Sequence, residues 1–218
     1  SDFVIGVELL AEVQDTSGGA QFGFFSEPSP GNPNGIIYSQ PPGEVVFSTE
    51  SKLYENNFQL ELSCETPGAE IRYTTDLSAP SNVFGSESDL YTGPIQITKS
   101  TQVRAQAFLP GALDGEVGTN TFLKMSGSVP SFSSNLPVIV MSTLGKGGPP
   151  DSGSTSRKDA YIFFFEPDPE TGRTTLTQAP QITTRSGVRK RGSSSAGWPK
   201  YGMSVETWND GDNEDHNI

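Results

Sequence analysis

Short alternating runs, rather than long amphipathic stripes, dominate the hydrophobic pattern of this chain. Phe58, Leu60, Leu62 and Cys64 share one side of a segment whose other side carries Gln59, Glu61 and Ser63. Ile71 and Tyr73 repeat the pattern, then Ile95 and Ile97, then Val103, Ala105 and Ala107, and residues 119–125 close the set. Side chains two apart lie on the same face of a strand, so each run reads as half-buried β structure. Thr66-Pro67-Gly68-Ala69 and Thr92-Gly93-Pro94 supply turns between them. Such strands at close spacing predict an antiparallel β-sandwich of roughly 80 residues.

A second block follows a Ser/Pro/Gly-rich boundary over 126–134. Residues 138–142 read as a buried-type strand. Ala160-Tyr161-Ile162-Phe163-Phe164-Phe165 is continuously apolar, as in a central strand buried on both faces, and is an aggregation hazard if its domain is truncated. Glu170-Thr171-Gly172-Arg173 predicts a hairpin turn into Thr174-Thr175-Leu176. The last patterned stretch, 185–209, has two strand-like halves about a polar turn, with Met203, Val205 and Thr207 alternating against Ser204, Glu206 and Trp208. Elsewhere, 144–156 reads as a flexible loop. Residues 26–44 hold enough Pro, Gly and Asn to block helix and strand, and read as a connector. Residues 2–13 are a strand-like or short helical apolar run, and 22–25 a second short one.

Composition sharpens this picture. The 24 Gly and 17 Pro fit many turns, and the 33% hydrophobic content is organised in runs rather than depleted as in disorder. A net charge of −12 argues against non-specific nucleic-acid or anionic-membrane binding by the whole chain. The lone Cys64 excludes an intramolecular disulfide and reads as a small buried hydrophobe. One histidine, His216 in an acidic tail, leaves no Cys–His or Ser–His relay and no His/Cys zinc site. No apolar run is long enough to span a membrane as a helix. The chain opens inside an apolar run and ends abruptly, so a piece of a longer protein is expected.

Candidate chemistry gathers at the turn of the last hairpin. Gly192-Ser193-Ser194-Ser195-Ala196-Gly197 leaves backbone N–H groups approachable, with Arg189, Lys190, Arg191 and Lys200 close in sequence. Backbone donors, hydroxyls and fixed positive charge make an anion pocket, and a solvated hairpin is the plainer alternative. Gly145-Lys146-Gly147 lacks the spacing of a phosphate loop. The acidic run 210–215 satisfies only part of the calcium-loop pattern and reads as a solvated loop. Tyr73 and Asp76 could stack on and bond a sugar, but an inward tyrosine and a turn-opening aspartate explain them better.

Two ordered motif sets carry resemblances. Thr66, Pro67, Gly68, Ala69, Ile71, Tyr73, Thr74 and Asp76, followed by Tyr91, Gly93, Pro94, Ile95, Val103, Ala105 and Ala107, resemble the chitobiase/β-hexosaminidase C-terminal-type module. That module is an immunoglobulin-like sandwich that links or props a neighbour. Here Leu77 replaces its turn glycine and Ser81 stands for its threonine. Gly187, Val188, Arg189, Arg191, Gly192, Ser194 and Ser195, then Pro199 and Lys200, resemble the opening of the spore-coat-protein-H (CotH) kinase family, and 136–141 is similar to that family's first strand. Tyr201, Gly202 and Met203 depart from its Lys-Ser-Tyr. The run 28–35 resembles the closing turn of lamin-tail-type domains.

Together these imply a mainly β chain: an immunoglobulin-like sandwich followed by the truncated β-rich N-terminal part of an atypical kinase-like α/β domain. The expected segments are 1–36, the end of a lamin-tail-like domain; 43–125, the sandwich; and 135–218, the start of the kinase-like domain. The resemblance implies a secreted or cell-surface bacterial protein that binds ATP with a divalent metal and phosphorylates surface or secreted proteins. Arg189, Arg191, Ser194, Ser195 and Lys200 would contact the nucleotide phosphates. The family's catalytic acids and metal ligands lie beyond the matched stretch, so the fragment alone is expected to be inactive, with no tightly held cofactor. The competing expectation is a non-catalytic adhesion, glycan-contact or scaffold module. Glycoside hydrolysis lacks a pair of acids placed by any motif.

Overall fold

The computed structural model describes residues 40–151, 156–192 and 194–213, together with 13–14, 20–21, 24–25 and 37–38. In that early part β1 (Val13–Gln14) pairs with β2 (Ala20–Gln21), and β3 (Phe24–Phe25) with β4 (Ile37–Tyr38). A strand at Ile37 corrects the expectation that the connector 26–44 holds none. The strand is a two-residue ladder of Ile37 and Tyr38, apolar side chains within a stretch otherwise rich in turn formers. The lamin-tail-like run 28–35 lies outside the described residues.

The next strands are β5 (Val46–Phe47), β6 (Lys52–Tyr54), β7 (Phe58–Leu60), β8 (Leu62–Ser63), β9 (Glu70–Thr74), β10 (Asp89–Leu90), β11 (Ile95–Ile97), β12 (Thr101–Phe108) and β13 (Val117–Lys124). Five of them form a sheet in the order β10-β9-β12-β13-β6, antiparallel except for the parallel β13–β6 pair. Strands β11, β7, β8 and β5 form the facing layer, in which β7 and β8 are interrupted at Glu61. The predicted alternation is the reason for this packing. Leu60, Ile97, Val103, Ala105, Ala107 and Phe122 are almost wholly buried between the layers. Phe58 stands edge-on to both Tyr54 and Phe122, with ring centroids 5.2 Å apart in each case. Burying each of the larger side chains contributes about 1.5–3 kcal/mol. Tyr73 packs against the same core, and Cys64 lies half-buried at its margin.

The other face of the five-stranded sheet is polar and still buried. Thr74, Gln102, Arg104 and Thr121 are each less than 5% exposed. A second sheet covers them, built from β15 (Val138–Ser142), β16 (Lys158–Phe165), β18 (Ile182–Arg191) and β19 (Gly202–Trp208), antiparallel and in that order. Strands β14 (Ser133–Ser134) and β17 (Thr174–Thr175) form a small ladder beside it, placing a strand inside the expected boundary 126–134. The turn before β17 is built on Asp168, whose Oδ1 accepts the N–H groups of Glu170 and Thr171, with Gly172 at φ 64.

Strand β16 is central but not buried on both faces. Tyr161, Phe163 and Phe165 are buried with Leu123, Met125 and Leu176, while Ile162 and Phe164 are half-buried on the open side. Strand β15 is an edge strand with Ile139 61% exposed, not a buried one. In β19 the inward side carries Ser204, Glu206 and Trp208, while Met203 and Val205 face out. The physical cause is Trp208, whose indole occupies the space left by Gly187: a Cβ there would lie 2.1 Å from Trp208 Cζ2. That single fit fixes which face of β19 turns inward. The described part of the chain is thus mainly β, with short 3₁₀ turns at Val129–Ser131 and Ser194–Gly197.

Candidate functional site

The five residues expected to meet phosphate lie along one hairpin. Strands β18 and β19 pair with Arg189 opposite Ser204 and Arg191 opposite Gly202. Gly192, at φ 96, opens the turn, a left-handed conformation that favours glycine. A 3₁₀ turn follows, and Trp198 N–H donates to Ser195 O at 3.2 Å. Arg191, Ser194 and Lys200 are exposed at this tip and Ser195 is half-buried there. Arg189 is set back along the strand and half-buried. It shares the Ser204 position with Arg157, whose Nη1 donates to Ser204 O and Oγ at 3.3 and 3.2 Å and whose Nε is paired with Glu206.

Lys190 points to the opposite face, where its Nζ binds Asp151 at 2.9 Å and lies over the Tyr201 ring. The hydrogen bond to Asp151 raises its pKa. Tyr201, one of the departures from the CotH pattern, therefore acts as a cover for this lysine. The tip is an open surface carrying two exposed cations and hydroxyls on a chain of net charge −12. Such a surface can accept an anion through charge-assisted hydrogen bonds.

A second assembly, invisible in the motifs, joins the two halves of the fold. Arg104 on β12 is 3% exposed, and its guanidinium donates to Leu77 O at 2.8 Å, Asp210 O at 2.6 Å and Gly211 O at 3.2 Å. Arg185 on β18, 5% exposed, donates to Asn209 O and Asp212 O, both at 2.7 Å, and to Asn213 Oδ1 at 2.8 Å. Its guanidinium also lies 5.9 Å from the Trp208 ring centroid. The acidic loop after β19 is thereby tied down through its backbone carbonyls rather than left in solvent. Asp210 is exposed as a residue, yet its Oδ2 turns back to accept Thr119 N–H at 3.3 Å.

Electrostatics show which effect governs this junction. Burial lowers the Arg104 pKa to about 10 and raises that of Asp210. Mutual attraction would move both the other way, so desolvation outweighs the pairing. Nearby, Ser51 Oγ donates to Asn120 Oδ1 at 2.8 Å, lies 2.9 Å from Tyr161 Oη, and accepts Thr121 N–H at 3.0 Å. Asp210 and Ser51 therefore cap two N–H groups of β13 where no neighbouring strand does. Between β5, β13 and the inner ends of β18 and β19 lies a cleft of about 540 Å³, with Glu44, Glu50, Asn120, Thr183 and Asp210 on its walls. Sequence reading missed Arg104, Arg185, Trp208 and Asp210. The one signal available was an arginine placed amid the polar positions of an otherwise regular strand.

The family model described as Fn3 associated matches residues 60–122, which run from β7 into β13. Comparison with curated proteins and with solved structures gives no match. The chain therefore contains a β-sandwich-type module of Fn3-associated character. Among the described residues, no helix is long and apolar enough to cross a membrane.

Proposed function

We propose that this chain belongs to a secreted or cell-surface protein in which a chitobiase-C-terminal-like sandwich, over about 43–125, props the β-rich opening of a CotH-type kinase-like domain, over 135–218. In this reading ATP phosphates meet the tip of the β18–β19 hairpin, with a divalent metal held by residues outside the described ones. Arg191 and Arg189 offer planar forks, Lys200 a point charge, and Ser194 and Ser195 hydroxyl donors. The observation that carries the reading is the concentration of exposed cations and hydroxyls on one glycine-opened hairpin, in a chain that is otherwise acidic. Hairpins with small residues at the turn cover nucleotide phosphates in protein kinases.

The test is nucleotide binding by the full-length protein. Arg191→Ala and Lys200→Ala should each weaken ATP binding by about tenfold, the range of one charge-assisted contact. Unchanged affinity in both would sink the assignment. The second reading is a non-catalytic scaffold or adhesion module, favoured by the buried polar junction that ties the sandwich to the sheet. It predicts no ATP binding by the full-length protein at all.

A further inference from the structure

We propose that the cleft between β5, β13 and the β18–β19 end is a docking site for an extended, lysine- or arginine-bearing peptide segment of a partner protein, which adds to the free edge of β5. This inference is independent of the nucleotide reading. The first observation is the strand edge. Strand β5 pairs on one side only, through Val46 opposite Ser63 and through Ser48 N–H donating to Glu61 O at 2.9 Å. Residues of an antiparallel ladder bond alternately to one side and the other, so the N–H and C=O groups of Val45 and Phe47 point away from β8. They face the cleft, and among the described residues no strand pairs with that edge. The Phe47 ring itself packs on Gly118, where a Cβ would lie 3.0 Å from Phe47 Cε2, and this contact fixes β5 at the mouth of the cleft.

The second observation is charge. Glu44, Glu50 and Asp210 line the cleft, and no lysine or arginine does. Several of its neutral polar groups are already engaged with one another: Asn120 Oδ1 holds Ser51, Tyr161 Oη lies against Ser51 Oγ, and Thr184 Oγ1 donates to Arg185 O, while the hydroxyl of Thr119 is buried. A sugar would find few free neutral partners, whereas a cationic side chain finds carboxylates. The volume of about 540 Å³ is ample for a short segment. Strand addition supplies main-chain affinity, and alternate side chains supply specificity.

The experiment uses the whole chain and a fluorescein-labelled hexapeptide of alternating lysine and threonine, with binding followed by anisotropy. The matching glutamate–threonine peptide should not bind. Glu44→Gln combined with Glu50→Gln, both exposed and so harmless to folding, should weaken binding roughly three- to tenfold. A probe N-methylated at alternate residues keeps its charge and loses its ladder donors, and it should bind at least about tenfold more weakly. The proposal is overturned if the lysine peptide does not bind, or binds the double variant or the N-methylated form equally well. Displacement of the probe by a neutral β-linked N-acetylglucosamine hexamer would also overturn it, in favour of a glycan site.

Discussion

Leu77 shows how a single residue can be strained for a purpose. Its φ of 84 lies in the left-handed region, at the position where the chitobiase-C-terminal pattern carries glycine. The surrounding turn is tightly specified. Asp76 Oδ1 accepts both the N–H and the hydroxyl of Ser78, which lowers the Asp76 pKa, and Thr74 Oγ1 donates to Ser78 O at 2.6 Å. A leucine held left-handed costs about 1–2 kcal/mol. What it gains is placement, because it closes a small void at the junction whose walls also include Leu144, Arg185 and Trp208, and its carbonyl accepts Arg104. Leu77→Gly should relieve the strain while losing the side chain, leaving stability within about 1 kcal/mol of the parent. Leu77→Ala keeps the strain and loses most of the side chain, so it should be the less stable of the two. Urea midpoints of the two variants decide this, and Leu77→Ala equal to or above Leu77→Gly would remove strain from the account.

At the level of elements, strand existence was legible and facing was not. The alternation at Phe58 to Leu62, at Ile71 and Tyr73, and at Val103 to Ala107 maps directly onto the core layer, because those strands have one apolar side to bury. From 160 to 165 every position of β16 is apolar, so the pattern there carries no information about which face turns inward. In β19 the pattern misleads: Met203 and Val205 make the apolar side, yet Trp208 and the Arg157–Glu206 pair take the inward one. A one-residue glycine gap beside a large ring decides the facing, and local periodicity does not encode a partner on the neighbouring strand. The sharpest check lies within β16, where adjacent phenylalanines face opposite ways. Phe163→Ala should cost about 3–5 kcal/mol, as expected for a fully buried ring. Phe164→Ala, on the open side, should cost less than half as much by the same denaturation measurement. Equal losses would mean that the open face is covered in solution.

For the molecule as a whole, the buried polar face of the five-stranded sheet is what sequence could least reveal. Gln102, Arg104 and Gln106 alternate with core residues and read as solvent-facing, and only the arrival of the second sheet buries the first two. The candidate hairpin was legible because its signals are local. The junction was not, since Arg104 and Asp210 are 106 positions apart. That junction has a pH signature. Because burial raises the Asp210 pKa above its ordinary value of 3.8, the folded protein holds this proton more tightly than the unfolded chain does. The associated stabilisation is complete below the ordinary value and is lost as pH rises through the raised one. Asp210→Asn keeps an acceptor for Thr119 N–H without burying a charge. Its stability relative to the parent should therefore improve between pH 4 and pH 7, roughly the window above the ordinary carboxylate value. Urea unfolding at both pH values, in a Trp198→Phe background so that emission comes from the buried Trp208, measures the difference at the junction itself. If Asp210→Asn instead fell behind the parent as pH rose, attraction to Arg104 and Arg185 would outweigh desolvation. The two halves would then be held together by an ion-paired cluster rather than by hydrogen bonds to carbonyls.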